Sequence, residues 1–191
     1  MRKMDGKRLV GLPMLATAAL AASAPPAGAE PGVTIFSFSA TSDIVIRGSA
    51  SADRVALARS GATVVVKTGG RPSIDNASGC TYVGFDGTDH VTHCPARDYW
   101  IVALNEGDDV FSADDVPGWV SVTGNAGSDN LTMVRTRGSV EGNAGNDSIS
   151  TWDGFGPNVR QDVACGKGSS DRAFVNWGDT VGTGCENLTR K

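Results

Sequence analysis

The sequence has no stretch both long and apolar enough to span a bilayer. Its longest apolar run, Leu9–Ala22, carries Pro13 and gives way to Ala24-Pro25-Pro26, short of the roughly 20 residues a membrane helix needs. Beyond residue 30 no segment repeats apolar residues at the helical 3.6 period over three turns, which excludes a helical bundle. Histidine is nearly absent. His90 and His93 are three apart, so on a strand they face opposite sides and make a poor pair for a shared metal. There is no His-Glu-x-x-His and no Gly-x-Ser-x-Gly, so neither a zinc protease nor an α/β-hydrolase is indicated. The lack of any Cys-x-x-Cys pair speaks against a zinc site. The acid pairs Asp108/Asp109 and Asp114/Asp115 have some look of glycosidase carboxylates, but the first belongs to a repeat described below. The expectation is a protein that is not an enzyme.

The start of the chain has the three parts of an export signal. Arg2, Lys3, Lys7 and Arg8 give a positive start, Leu9–Ala22 an apolar stretch, and Ala27-Gly28-Ala29 a small-x-small cleavage pattern. Residues 1–29 are therefore expected to be a secretion signal, and residues 30–191 a single β-rich extracellular domain with no membrane span. Removing residues 1–29 deletes four basic residues and Asp5, which moves the net charge from −4 to −7. That acidity disfavours nucleic acid as a partner. Past residue 29 there are sixteen Asp against four Glu. Asp suits turns, because its short carboxylate bonds nearby amides, and it is also a preferred oxygen ligand for calcium.

Cys80, Cys94, Cys165 and Cys185 are an even number of cysteines in a chain that reads as exported, which points to two disulfides. Three pairings are possible. Cys80–Cys94 and Cys165–Cys185 are favoured because each pair brackets a short segment that reads as a hairpin. Short β-like runs separated by Gly, Asp, Asn and Ser fill the chain: 33–38, 43–47, 54–58, 63–67, 99–104 and 172–176. The apolar pairs Val55/Leu57 and Val64/Val66 face each other across Ser60-Gly61-Ala62 as a hairpin would.

A sharper rhythm runs through residues 104–150. Val122, Leu131, Val140 and Ile149 recur every nine residues, each flanked by polar neighbours. A three-residue strand with one inward apolar side chain buries too little alone, so such units must stack to make a core. Superimposed is a period of eighteen: Gly124-Asn125-Ala126-Gly127-Ser128-Asp129-Asn130-Leu131 returns as Gly142-Asn143-Ala144-Gly145-Asn146-Asp147-Ser148-Ile149. A looser copy is Asn105-Glu106-Gly107-Asp108-Asp109-Val110-Phe111, with two extra residues expected near Pro117-Gly118. Two strands and two loops per period put the Gly/Asp loops on one edge. Loops such as Met133–Gly138 fall on the other edge and lack the Asp. Fainter echoes are Gly48–Val55 and Cys165–Asp171.

These residues resemble the haemolysin-type (RTX) calcium-binding nonapeptide, G-G-x-G-x-D-x-U-x. Gly124–Thr132 and Gly142–Ser150 match at the first and fourth glycine, the Asp and the aliphatic, with Asn125 and Asn143 in the second place. The resemblance implies an all-β fold, a parallel β-roll or β-solenoid of short strands. Hairpin-like additions closed by the disulfides are expected at both ends. It also implies Ca2+ between successive loops, one ion between the Asp109 and Asp129 loops and one between the Asp129 and Asp147 loops. Gly107, Gly127 and Gly145 would let the loops turn and aim carbonyls into the gap. Asn105, Asn125 and Asn143 would add oxygens or hold left-handed backbone. The second expectation is a secreted carbohydrate- or cell-surface-binding β-solenoid without calcium dependence, with Trp100, Trp119, Trp152 and Trp177 as an exposed stacking face for a glycan partner.

Overall fold

A computed structural model describes residues 32–37, 43–154 and 159–191. The proposed signal, residues 1–29, and Phe38 of the first expected strand lie outside the described residues. The described chain is all-β, apart from a single 3-10 turn at Asn76–Ser78.

Its strands are β1 (Thr34–Phe36), β2 (Asp43–Arg47), β3 (Arg54–Ser60), β4 (Thr63–Thr68), β5 (Ser73–Ile74), β6 (Thr81–Phe85), β7 (His90–Pro95) and β8 (Tyr99–Glu106). They continue as β9 (Val110–Asp114), β10 (Trp119–Ala126), β11 (Asn130–Val134), β12 (Arg137–Ala144), β13 (Ser148–Ser150), β14 (Gln161–Lys167), β15 (Arg172–Val175), β16 (Thr180–Val181) and β17 (Asn187–Arg190). Two mixed sheets result. The first runs β16-β14-β12-β10-β8-β2-β1-β5 and the second β17-β15-β13-β11-β9-β3-β4-β7-β6. From β8 onward successive strands alternate between the sheets, and every pair of neighbours in that part is parallel. One strand in each sheet with its two loops forms a rung.

The nine-residue spacing is the spacing of the core. Ile46, Val102, Val122, Val140 and Val163 stand in register across the first sheet. Val55, Phe111, Leu131, Ile149 and Ala173 do so across the second, and all ten are buried. A rung alone would leave these side chains in water, whereas the stack buries each between its neighbours above and below. β13 has the expected three residues, whereas β10, β11 and β12 are longer. β10 and β12 pair on through Asn125–Asn143 and Ala126–Ala144, so part of the Gly-Asn-Ala stretch is strand rather than loop. The two extra residues of the twenty-residue rung fall in the four-residue link 115–118 between β9 and β10, where the next rung has only 135–136.

Both disulfides form, Cys80–Cys94 and Cys165–Cys185. The first staples the antiparallel β6–β7 hairpin, which with β4 extends the second sheet beyond β3. The β3–β4 hairpin also forms, turning at Gly61-Ala62 with Gly61 at φ 62°. The hairpin expected between Cys165 and Cys185 does not exist. Cys165 lies in β14 and Cys185 follows β16, its parallel neighbour, after a full passage through β15 in the other sheet. Their separation of 20 residues is one rung, against 14 for the true hairpin. The disulfide-closed addition at the C-terminal end is thus a further parallel rung.

Candidate functional site

The loops that lead from the first sheet to the second stack on one edge. Arg54, Val110, Asn130, Ser148 and Arg172 are in register as the opening residues of their strands. The residues just before them, Asp53, Asp109, Asp129, Asp147 and Asp171, therefore form one file. The Asp53 carboxylate accepts from Ser49 within its own loop, and each later one reaches back to the preceding rung. Oδ1 of Asp109 accepts from the Asp53 amide at 2.6 Å, that of Asp129 from Asp109 at 2.9 Å, that of Asp147 from Asp129 at 2.9 Å and that of Asp171 from Asp147 at 2.7 Å. Glu186 Oε2 closes the file, accepting from the Asp171 amide at 2.9 Å. Every bond in this ladder joins two rungs, so the file holds the stack at its required spacing.

The second carboxylate oxygens are not used. Oδ2 of Asp109, Asp129, Asp147 and Asp171 is buried with no hydrogen-bond partner. A buried polar atom in that state is costly, and four lie in one file. Burial pushes the Asp109 carboxyl up to about 7, and neighbouring carboxylates add to it against the pull of the Asp53 amide. Burial likewise raises Asp147 to about 6 and raises Asp129. The file asks for positive charge, either as protons or as cations.

Glycine shapes the space beside these oxygens. A Cβ at Gly124 would stand 2.8 Å from Asp129 Cγ and 3.0 Å from the Gly142 carbonyl oxygen of the next rung. One at Gly142 would stand 2.7 Å from Asp147 Cγ and 2.5 Å from the Cys165 carbonyl oxygen. Each glycine thus leaves a cradle where an unpartnered carboxylate oxygen and a carbonyl from the adjacent rung converge. The donors are all oxygen, which suits a hard cation such as calcium. Among the described residues no three His, Cys, Asp or Glu side chains gather for a metal ion, so backbone carbonyls would have to supply much of any shell.

The other residues of the pattern serve backbone shape. Asn105, Asn125 and Asn143 are in register with φ of 79°, 80° and 77°. This is the left-handed region, which Asn tolerates better than most residues. Asn105 Nδ2 donates to the Gly48 carbonyl at 2.6 Å, and Asn125 Nδ2 to Thr123 Oγ1 at 3.4 Å. Gly107, Gly127 and Gly145, all at positive φ, stack so closely that a Cβ on any of them would meet backbone of the preceding rung.

Sequence reasoning misses the reach of the file. Asp53 and Asp171 sit in the faint echoes yet occupy the same column, and Glu186 lies outside any repeat. Their signal is position, one residue before a strand, rather than the glycine pattern. In the longer Asp171 loop the stacking place passes to Gly168, whose Cβ would collide with the Gly145 carbonyl. The opposite edge also carries acid. Asp179 accepts from Thr151 Oγ1 at 2.7 Å, the Asn176 amide at 2.8 Å and the Gln161 amide at 3.0 Å. Asp153 accepts from the amides of Arg135 and Val159. These two carboxylates are fully bonded, so among the described residues the orphaned carboxylate oxygens all lie on the first edge.

The four tryptophans do not form one face. Trp100 is wholly buried between the sheets, Trp152 packs edge-on against Phe174 at 5.1 Å, Trp119 is half-buried, and only Trp177 stands clear, 74% exposed. Alternation along β8 dictates the first of these, since Trp100 shares the inward phase of Val102 and Leu104. His90 and His93 lie on β7, where the Tyr82 hydroxyl and His90 Nδ1 are 2.8 Å apart and His93 is exposed. Asp114 pairs with Arg135 and Asp115 with Arg59. No helix among the described residues is long and apolar enough to cross a membrane. Comparison with protein-family models, with curated proteins and with solved structures gives no match to this chain.

Proposed function

We propose that this chain is a secreted, non-catalytic parallel β-roll that holds calcium along its Asp edge. The observation that carries the proposal is the file of buried Asp carboxylates with orphaned Oδ2 atoms, set beside glycine cradles that open onto carbonyls of the next rung. Asp109, Asp129 and Asp147 supply the negative charge, and backbone carbonyls such as those of Gly142 and Cys165 the neutral oxygens. Calcium there neutralises carboxylates that burial otherwise pushes towards the protonated form, and it ties one rung to the next. Two disulfides suit an oxidising compartment and agree with export.

Melting of the folded chain in rising free calcium tests the reading. At a free concentration 100 times the dissociation constant each site adds about 2.7 kcal/mol. Magnesium substitutes poorly, because it demands a smaller and stricter octahedral shell. Identical melting curves in calcium and in chelator would contradict it.

A further inference from the structure

The outward face of the first sheet carries a row of side chains that the Asp edge does not use. Tyr99, Trp119 and Arg137 stand in register on β8, β10 and β12. Their strand neighbours Trp100, Val120 and Gly138 are buried, so alternation turns the row towards solvent. Together with Asp98 and Gly118 they line a groove of about 390 Å³. The chain enters this groove by a tight turn. Gly118 lies at φ 87°, where a Cβ would stand 2.6 Å from the Asp98 carbonyl oxygen, and the Trp119 amide donates to that same oxygen at 2.7 Å.

The polar groups of the groove are unspent. The Asp98 carboxylate, the Tyr99 hydroxyl, the Trp119 indole N–H and the Arg137 guanidinium have no side-chain hydrogen-bond or ion-pair partner among the described residues. Elsewhere on the surface acids and arginines find each other, as Asp114 and Arg135 do.

We propose that this groove binds a neutral saccharide chain. Aromatic rings offer apolar faces to the C–H faces of a sugar, while their polar edges stay available for hydrogen bonds. A planar carboxylate accepts from neighbouring hydroxyls, and a guanidinium donates to them. One carboxylate and one guanidinium cancel, so the groove gives neither a polyanion nor a polycation an electrostatic advantage. Strands about 4.8 Å apart present the row at a pitch close to one pyranose ring, so the chain runs across the strands. This site lies on the sheet face and does not depend on the calcium reading.

Affinity electrophoresis of the secreted chain in calcium buffer tests it. The gels contain laminarin, dextran, soluble starch or hydroxyethyl cellulose as neutral probes, and heparin or alginate as anionic ones. At least one neutral polymer should retard the protein. Tyr99→Ala, at a side chain already 53% exposed, and Arg137→Gln should each weaken that retardation about fivefold or more. Phe85→Ala, an exposed aromatic on the remote strand β6, should leave it unchanged. The proposal is overturned if no neutral polymer retards the chain, if only the anionic ones do, or if Tyr99→Ala and Arg137→Gln migrate as the parent does.

Discussion

Replacing Gly127 by alanine should damage the stack far more than replacing Gly61. Both glycines are at positive φ, 136° and 62°, so both substitutions carry the left-handed penalty of about 1–2 kcal/mol. Gly61 turns a hairpin with nothing within 4 Å of a built Cβ, and its loss should stop there. A Cβ at Gly127 would lie 2.5 Å from the Gly107 carbonyl carbon and closer still to its oxygen. Ordinary contact is about 3.5–4 Å, so the two rungs must part by about 1 Å at that point. The bonds that bridge them there are Gly107 N to Ala126 O at 2.9 Å, Ser128 N to Asp108 Oδ1 at 2.7 Å and Asp109 N to Asp129 Oδ1 at 2.9 Å. Losing two of the three adds about 2 kcal/mol, for about 3–4 kcal/mol in all. In a domain of this size that lowers Tm by about 6–16 °C, against about 2–8 °C for Gly61→Ala. Thermal melts followed by circular dichroism in saturating calcium would check the pair. Equal losses would refute the claim that close stacking, rather than backbone conformation, requires glycine at this edge.

Without calcium, stability should fall as pH rises from 5 to 7.5. The folded values of Asp147, about 6, and Asp109, about 7, lie above the ordinary carboxylate value. The folded state therefore binds protons more tightly, and that advantage is lost as pH rises through those values. Melts in chelator at the two pH values should show the fall, and Asp109→Asn should flatten it. Calcium should stabilise more at pH 7.5 than at pH 5, because protons compete for the same carboxylates. Asp179→Ala, on the opposite edge, leaves three donors unbonded and should cost about 3 kcal/mol or more. Denaturation should show that cost to be equal in calcium and in chelator. The exported product should begin at Glu30 by intact mass, and a product retaining Met1 would make the N-terminal segment an anchor.

The core is legible in the sequence because each rung repeats the same requirement: one apolar residue every nine positions, falling in the two sheets alternately, read directly at Val122, Leu131, Val140 and Ile149. The ends are harder. The Cys165–Cys185 separation looks like a hairpin because sequence spacing alone does not distinguish a turn back from a full rung. Asp53 and Asp171 stay faint because their loops place glycine elsewhere, and an inward Asp is defined by strand register, which only the paired sheets reveal. Grouping Trp100 with the other tryptophans fails because aromatic type says nothing of strand phase. Strand phase sends it inward and its neighbour Tyr99 outward.

Asp129→Asn separates the calcium account from a purely hydrogen-bonded ladder. The substituted side chain keeps an oxygen to accept from the Asp109 amide. Its NH2 group takes the place of the orphaned Oδ2, facing the Gly142 carbonyl side of the cradle. The ladder survives while the charge is lost. Isothermal titration with calcium, beside melts in chelator, gives the decisive comparison. The account predicts that Asp129→Asn equals or exceeds the parent in stability without calcium and binds calcium at least about tenfold more weakly. It also predicts that Asp147→Asn weakens binding likewise, because Asp147 too stands between two rung gaps, facing Asp129 on one side and Asp171 on the other. Unchanged calcium binding in Asp129→Asn, or no calcium binding by the parent, would contradict it.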